Sequence, residues 1–168
     1  KLYGRSELAE KAKRVRAAVL RQSWNGEWFC DNAVRGADGA LRPSGECPEA
    51  CQYYAFFFGT ATRASHPELW RRLTEDFGPD RKASGRWRNV WPANAFIGNY
   101  MRLELLSNAG LHDQVVREIR GYFLKMAERT GTLWEHDSPT ASCCHGFASY
   151  VAVLLDRAVR RREGKALK

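Results

Sequence analysis

The sequence lacks long apolar runs, phosphate-binding glycine motifs and the cysteine pattern of a disulfide scaffold. Its longest apolar stretches, residues 53–58 and 150–155, are too short to cross a bilayer. Its 5 cysteines are odd in number and two are adjacent, which favours a reducing compartment, although a periplasmic protein with one bridge stays open. A phosphate-cradling glycine loop and a serine nucleophile elbow are both absent. Localisation is therefore left unassigned, and no membrane span is predicted.

Basic residues exceed acidic ones, with 27 Lys and Arg against 19 Asp and Glu, a net charge of +8. Such a balance permits an anionic partner. The arginines in the predicted helices fall opposite the apolar positions, however, and no nucleic-acid motif accompanies them. We interpret them as a solvated outer face and expect no nucleic-acid partner.

Apolar periodicity predicts six helices, at residues 6–22, 48–60, 65–77, 92–108, 111–129 and 141–161. Helices one, three and five have one apolar face, whereas two, four and six are apolar on most sides. Outer helices bury one face and inner helices touch neighbours all round, so the alternation predicts three consecutive helical hairpins of an all-α toroid. A tetratricopeptide array is disfavoured because its 34-residue period is absent. A short β-hairpin is also expected near residues 28–34.

Long connections precede each predicted inner helix, at residues 23–47, 79–91 and 130–141. Long loops in a compact domain usually carry function, and these three would meet at one mouth of a toroid. Trp134 offers a flat face for a sugar, and Glu135 and Asp137 would point the same way from an extended segment. The candidate site residues are Asp31, Trp91, Asn94, Trp134, Glu135, Asp137 and His145.

A zinc site is one alternative role for the cysteines. Cys47 and Cys51, with Cys143, Cys144 and His145, would compose a zinc site if the loops converged. The first pair lacks a partner pair at ligand spacing, and buried free cysteine is common. We predict no metal and no cofactor.

Two segments near the end of the chain carry a family resemblance. Residues 131–135, Gly-Thr-Leu-Trp-Glu, and residues 145–148, His-Gly-Phe-Ala, resemble the closing signature of the α-L-rhamnosidase catalytic domain (glycoside hydrolase family 78). Residues 94–113 and 51–59 resemble two earlier inner-helix segments of that family. The resemblance covers nearly the whole chain.

The resemblance implies an (α/α)6 barrel that hydrolyses terminal α-L-rhamnosyl or related linkages with inversion, using two carboxyl groups. Glu135 matches the general base. The family's general acid lies in a Cys-Pro-rich acidic motif near the start of the barrel, and this chain has no match to it. Residues 46–49, Glu-Cys-Pro-Glu, echo that motif but precede the wrong helix.

Residues 1–168 are therefore expected to be one partial domain, the C-terminal half of a barrel truncated at its N-terminus. Such a chain would bind carbohydrate with a base but no acid, and would be inactive alone. Its inner helices would leave apolar sides uncovered, which predicts aggregation or assembly with the missing N-terminal half.

Other roles remain open for the same residues. Glu135 could cap the sixth helix or pair with an arginine, and Asp137 could orient His136 or cap a helix. Trp134 and Trp91 could fill the core, and His145 could be structural. The alternative function is a noncatalytic helical-hairpin module that binds glycan or, through its arginines, an anionic partner.

Overall fold

The computed structural model describes residues 4–164, so residues 1–3 and 165–168 of the predicted domain lie outside the described residues. The fold is mostly helical, with 55% helix and 9% strand. The helices are α1 (Ser6–Ser23), α2 (Glu49–Phe57), α3 (Pro67–Glu75), α4 (Arg81–Ser84), α5 (Phe96–Asn108), α6 (His112–Ile119), α7 (Lys125–Thr130) and α8 (Tyr150–Arg162), with a 3-10 turn at Gly146–Ser149. The strands are β1 (Ala33–Arg35), β2 (Leu41–Pro43), β3 (Cys47–Pro48) and β4 (Val90–Trp91).

The outer-helix segments form largely as predicted. Helix α1 starts at the predicted residue, and Pro67 opens α3 at a position where a missing backbone N–H costs no hydrogen bond. A π-helical turn, Arg120–Leu124, joins α6 to α7 into one continuous rod. Gly131 ends this rod because its φ of +71° lies in the left-handed region that glycine enters without strain.

The sixth predicted helix is wrong in its first part, because α8 does not begin at residue 141. The backbone amide of Glu135 donates to the Ser142 carbonyl over 2.9 Å, and the amide of His145 donates to the Leu133 carbonyl over 2.8 Å. These groups pair across a loop, so they are not available for the ladder of an α-helix. The segment is a folded loop that ends in the 3-10 turn.

Two further boundaries differ from the prediction. Helix α5 begins at Phe96 rather than at residue 92, because β4 pairs with β3 and Ala95 forms an antiparallel bridge with His136. The short hairpin lies further along the chain than residues 28–34, since β1 pairs antiparallel with β2.

The buried side chains form two cores that share α5. The N-terminal core is built by α2, α3 and the loops around them: Trp28, Phe29, Cys30, Cys47, Tyr53, Ala55, Phe56, Ala61, Leu69, Leu73, Phe77, Val90 and Leu105. The C-terminal core is built by α5, α6, α7 and α8: Tyr100, Leu103, Leu106, Val115, Ile119, Tyr122, Phe123, Met126, Trp134, Val151, Leu154 and Ala158.

The predicted contrast between inner and outer helices holds for α5 but not for every helix. Helix α5 is buried except along one stripe that includes Ile97 and Glu104. Helix α8 buries a single face, Val151, Leu154 and Ala158, so the prediction that it touches neighbours all round is wrong for this chain. Helix α1 has no fully buried residue. The structure thus establishes a helical fold in which α2 packs on α5 and α5 packs on α8.

Arg102 of α5 ties the two cores together. Its buried guanidinium donates to both carboxylate oxygens of Glu118 in α6, over 2.6 and 2.8 Å. It also donates to the carbonyls of Leu73 and Phe77 at the end of α3. Gly78 has no side chain there, and a Cβ would lie 3.0 Å from the guanidinium. The charge is thus paired and hydrogen-bonded, as a buried charge must be.

No helix within residues 4–164 combines the length and the hydropathy that a bilayer crossing requires.

Candidate active site

The loops that precede α2, α5 and α8 converge, as predicted from their positions in the sequence. Strands β3 and β4 pair in parallel, which joins the entry of α2 to the entry of α5. Ala95 bridges His136, and the amide of Phe96 donates to the Glu135 carbonyl over 3.1 Å, which joins the entry of α5 to the loop before α8. Backbone pairing therefore holds the three loops side by side at one end of the helices.

Glu135 lies where the loop before α8 pairs with the entry of α5. Its backbone is held at both ends, by Phe96 and by Ser142, so the position of its Cα is well defined. Its side chain is 37% exposed, and 3.9 Å separate Glu135 Oε1 from Nε2 of the neighbouring His136 ring. Within residues 4–164 the Glu135 carboxylate accepts no hydrogen bond. The carboxylate is thus partly exposed, and it forms no ion pair with an arginine or lysine among the described residues.

Asp137 has a different environment from Glu135. Its carboxylate pairs with Lys82 of α4, and its carbonyl accepts a 3.3 Å hydrogen bond from Lys125. Its amide donates to the Asn94 carbonyl over 2.8 Å. Asp137 therefore fastens the loop to α4 and α7 and is not a second free carboxylate beside Glu135.

The two tryptophans named as candidate sugar-binding residues have opposite environments. Trp134 is 2% exposed in the C-terminal core, where its Nε1 donates to the Thr130 hydroxyl over 2.8 Å. Its assignment as a sugar-stacking residue is wrong, because neither ring face reaches the surface. Trp91 is 61% exposed, and its Nε1 donates to the Glu46 carboxylate. Trp91 thus offers an exposed aromatic ring at the entry of α5.

Asn94 and His145 also belong to the convergent end. The Asn94 side chain is exposed, and its carbonyl is held by the Tyr122 hydroxyl over 2.8 Å. The His145 ring packs against Phe96 with 4.7 Å between centroids and near Phe147. His145 is half-buried, so one part of its ring faces solvent beside the entry of α5.

Asp31 lies apart from Glu135, towards α1. It accepts a 3.1 Å hydrogen bond from the Ser44 hydroxyl, and its backbone amide donates to the Glu46 carbonyl. It lines a cavity of about 560 Å³ between α1 and α2, together with Cys51 and other mostly apolar groups. Glu46 links Asp31 to Trp91, because it bonds to both residues. Within the described part of the chain, Asp31 makes no direct contact with the loop that carries Glu135.

Glu49, the second carboxylate of the Glu-Cys-Pro-Glu segment at residues 46–49, has a structural role. Glu49 is buried and pairs with Arg81, and it accepts hydrogen bonds from the Tyr53 hydroxyl (3.1 Å) and the Ala93 amide (2.9 Å). Arg81 donates in turn to the Arg86 and Trp87 carbonyls before β4 and to the Val90 carbonyl in β4. A carboxylate enclosed in this way cannot protonate a glycosidic oxygen.

One polar cluster was missed by the sequence analysis. Glu104 accepts hydrogen bonds from the Tyr150 hydroxyl (2.6 Å) and from Arg157 (2.7 Å), across the groove between α5 and α8. The hydrogen bond to Glu104 raises the pKa of Tyr150. The spacing of these residues along the chain carries no signal, because the cluster depends on how two helices pack.

The cysteines do not assemble into the zinc site considered above. Cys47 and Cys51 adjoin the N-terminal core, whereas Cys143 packs against the C-terminal core. In the part of the chain that the structure describes, no group of three or more His, Cys, Asp and Glu side chains is arranged to hold a metal ion.

Comparison with known proteins identifies no relative. No family model matches the chain, and no curated protein and no solved structure matches it significantly. The geometry of the convergent loops and the resemblance of residues 131–148 therefore carry the functional argument.

Proposed function

We propose that this chain supplies the general base of an inverting glycoside hydrolase of the α-L-rhamnosidase type, and that Glu135 is that base. The substrate class is a terminal α-L-rhamnosyl or closely related linkage. In the proposed reaction Glu135 takes a proton from a water molecule that attacks the anomeric carbon, while an acid on the opposite side protonates the leaving oxygen.

The observation that carries the proposal is the state of the Glu135 carboxylate. It lies where the loop before α8 pairs with the entry of α5, it is partly exposed, and within residues 4–164 it forms no ion pair with a lysine or an arginine. A general base needs a free lone pair directed at a water-accessible space, and a carboxylate in a tight ion pair lacks one. Trp91, Asn94 and His145 are proposed to contact the sugar around it.

The general acid is proposed to come from a complementary half of the barrel. An inverting enzyme separates its two carboxyl groups by roughly 6.5–9.5 Å so that the water fits between the base and the sugar. Asp137 pairs with Lys82, and Glu49 is buried against Arg81, so neither is a suitable acid. This chain is therefore proposed to form the C-terminal half of an (α/α)6 toroid with little activity alone.

Exposed apolar residues of α2, α5 and α8 support the proposal that the other half of a barrel packs against this chain. Large apolar side chains on or beside these helices are open to solvent: Tyr54, Phe57, Phe58, Ile97, Phe147, Tyr150 and Val153. Exposed apolar surface of this kind usually marks a surface that another element covers. A preceding stretch of three hairpins would cover it and close the toroid.

The decisive experiment joins this chain to such a stretch and measures the release of p-nitrophenol from p-nitrophenyl α-L-rhamnoside. Glu135→Ala is expected to lower kcat about 10²–10⁴-fold, the usual contribution of a positioned base. Added azide should restore turnover by replacing the activated water, and the product should be a glycosyl azide of inverted configuration.

Glu128→Gln is the matched control. Glu128 is exposed on α7, and its substitution removes one negative charge away from the convergent loops. It should retain the parental rate. Full activity of Glu135→Ala, or a loss of activity that azide does not rescue, would contradict the assignment of the base.

A noncatalytic glycan-binding module is the second candidate, favoured because Asp137, the acidic residue nearest to Glu135 in the sequence, is paired with Lys82. It predicts that the joined protein binds rhamnose-containing oligosaccharides without cleaving them. Trp91→Ala should then weaken binding in a titration calorimeter, whereas Glu135→Gln should leave affinity nearly unchanged.

A further inference from the structure

Three cysteines gather near the base of the β1–β2 hairpin, and two of their sulfur atoms are in contact. The Sγ atoms of Cys30 and Cys47 are 3.1 Å apart, although the residues are 17 positions apart in the chain. Cys30 is 2% exposed and Cys47 is 3% exposed. All five cysteines are free thiols in this structure. The function proposed for Glu135 makes no use of this pair.

The pair lies across two antiparallel segments that extend the hairpin. Beyond the pairing of β1 with β2, the Ser44 amide donates to the Asn32 carbonyl over 3.0 Å, and the Asp31 amide donates to the Glu46 carbonyl over 3.0 Å. Cys30 and Cys47 are the next residues on these two segments. Facing residues of antiparallel segments have Cα atoms about 4.5–5.5 Å apart, which lies within the range that a disulfide spans.

Burial favours the protonated form of the Cys47 and Cys51 thiols. Burial, reinforced by the contact with Cys30, raises the pKa of Cys47 to about 12. Burial raises the pKa of Cys51 to about 11. Because the thiolate is the reactive form, both thiols react slowly at neutral pH. Cys30 and Cys51 nevertheless line the cavity of about 560 Å³ between α1 and α2, which gives a small molecule a route to Cys30.

We propose that Cys30 and Cys47 are a disulfide-forming pair that clamps the base of the β1–β2 hairpin to the entry of α2. The oxidant is a low-molecular-weight disulfide. The Cys30 thiolate attacks one of its sulfurs and releases one thiol, and Cys47 then displaces the second thiol from the mixed disulfide. The two cysteines together lose two protons and two electrons, and the small disulfide is reduced to two thiols.

The first test is a peptide map of the whole chain after incubation with oxidised glutathione, quenched by acid and alkylated without reduction. Digestion combines trypsin with a protease that cleaves after glutamate. Cleavage after Glu46 and Glu49 separates Cys47 from Cys51, which trypsin alone leaves on one peptide. We expect a linked pair of peptides containing Cys30 and Cys47, and a fall from five alkylated cysteines to three.

The second test is thermal unfolding of the oxidised and the reduced chain. A bridge across a loop of this size should raise the unfolding midpoint by about 5–10 °C, and dithiothreitol should reverse the rise. Cys51→Ser should keep both the linked peptides and the shift, and so should Cys144→Ser, which changes an exposed thiol. Cys30→Ser should lose both.

Five alkylated cysteines after oxidation would overturn the proposal. A bridge that joins Cys51 to either partner would do the same, as would loss of the shift in Cys51→Ser. The peptide map uses the unaltered chain, so its result does not depend on whether a variant folds.

Discussion

The N-terminal and C-terminal cores are stabilised by different means. In the N-terminal core, loop residues such as Trp28 are buried beside the helices, and the ion pair of Glu49 with Arg81 fastens the loop before β4. In the C-terminal core, apolar side chains of packed helices dominate, and Trp134 is the buried residue of the loop before α8. The first core should therefore be sensitive to the loss of a charge and the second to the loss of volume.

The largest expected effect is the loss of the buried charge pair in the N-terminal core. Arg81→Met leaves the Glu49 carboxylate buried without its cation, which should lower the free energy of unfolding by about 3–5 kcal/mol. Chemical denaturation monitored by tryptophan fluorescence measures it. Arg71→Met is the control: Arg71 pairs with Glu68 on the exposed side of α3, so its loss should barely move the midpoint. Equal effects of the two variants would refute the contrast.

In the C-terminal core the corresponding test removes volume. Leu154→Ala should cost about 2–5 kcal/mol, because Leu154 is fully buried between α8 and its neighbours and a cavity remains. Val153→Ala alters the adjacent, exposed residue and should cost much less. If both substitutions cost the same, α8 would not bury a single face as described.

The smallest expected effect is a pH dependence in the N-terminal region. Burial lowers the pKa of His66 below its ordinary value of 6.5, where the ring packs against Trp24 and Phe29. The folded state thus binds this proton less readily than the unfolded state, and stability should fall as the pH drops below 6.5. Urea midpoints at pH 7 and pH 5 should differ more in the parent than in His66→Gln. A larger drop in the variant would reverse the sign and refute the linkage.

The helices were predictable where apolar periodicity was strong, and the convergence of the loops followed from their order along the chain. The start of α8 was not predictable, because the Ser142 carbonyl and the His145 amide pair with Glu135 and Leu133 of the same loop rather than within a helix. The same limit applied to the site. Glu135 could be singled out from local residues, but the burial of Trp134 and the pairing of Asp137 could not.

Apolar periodicity predicted the order of the longer helices, since each repeats its buried positions within a few residues, but it predicted neither α4 nor the starts of α5 and α8. Tertiary structure decided which of Glu49, Glu135 and Asp137 has no lysine or arginine partner among the described residues. Asp137 meets Lys82, 55 positions away, and Glu49 meets Arg81, 32 positions away. Such pairs form only when separate segments pack together, so no local pattern encodes them.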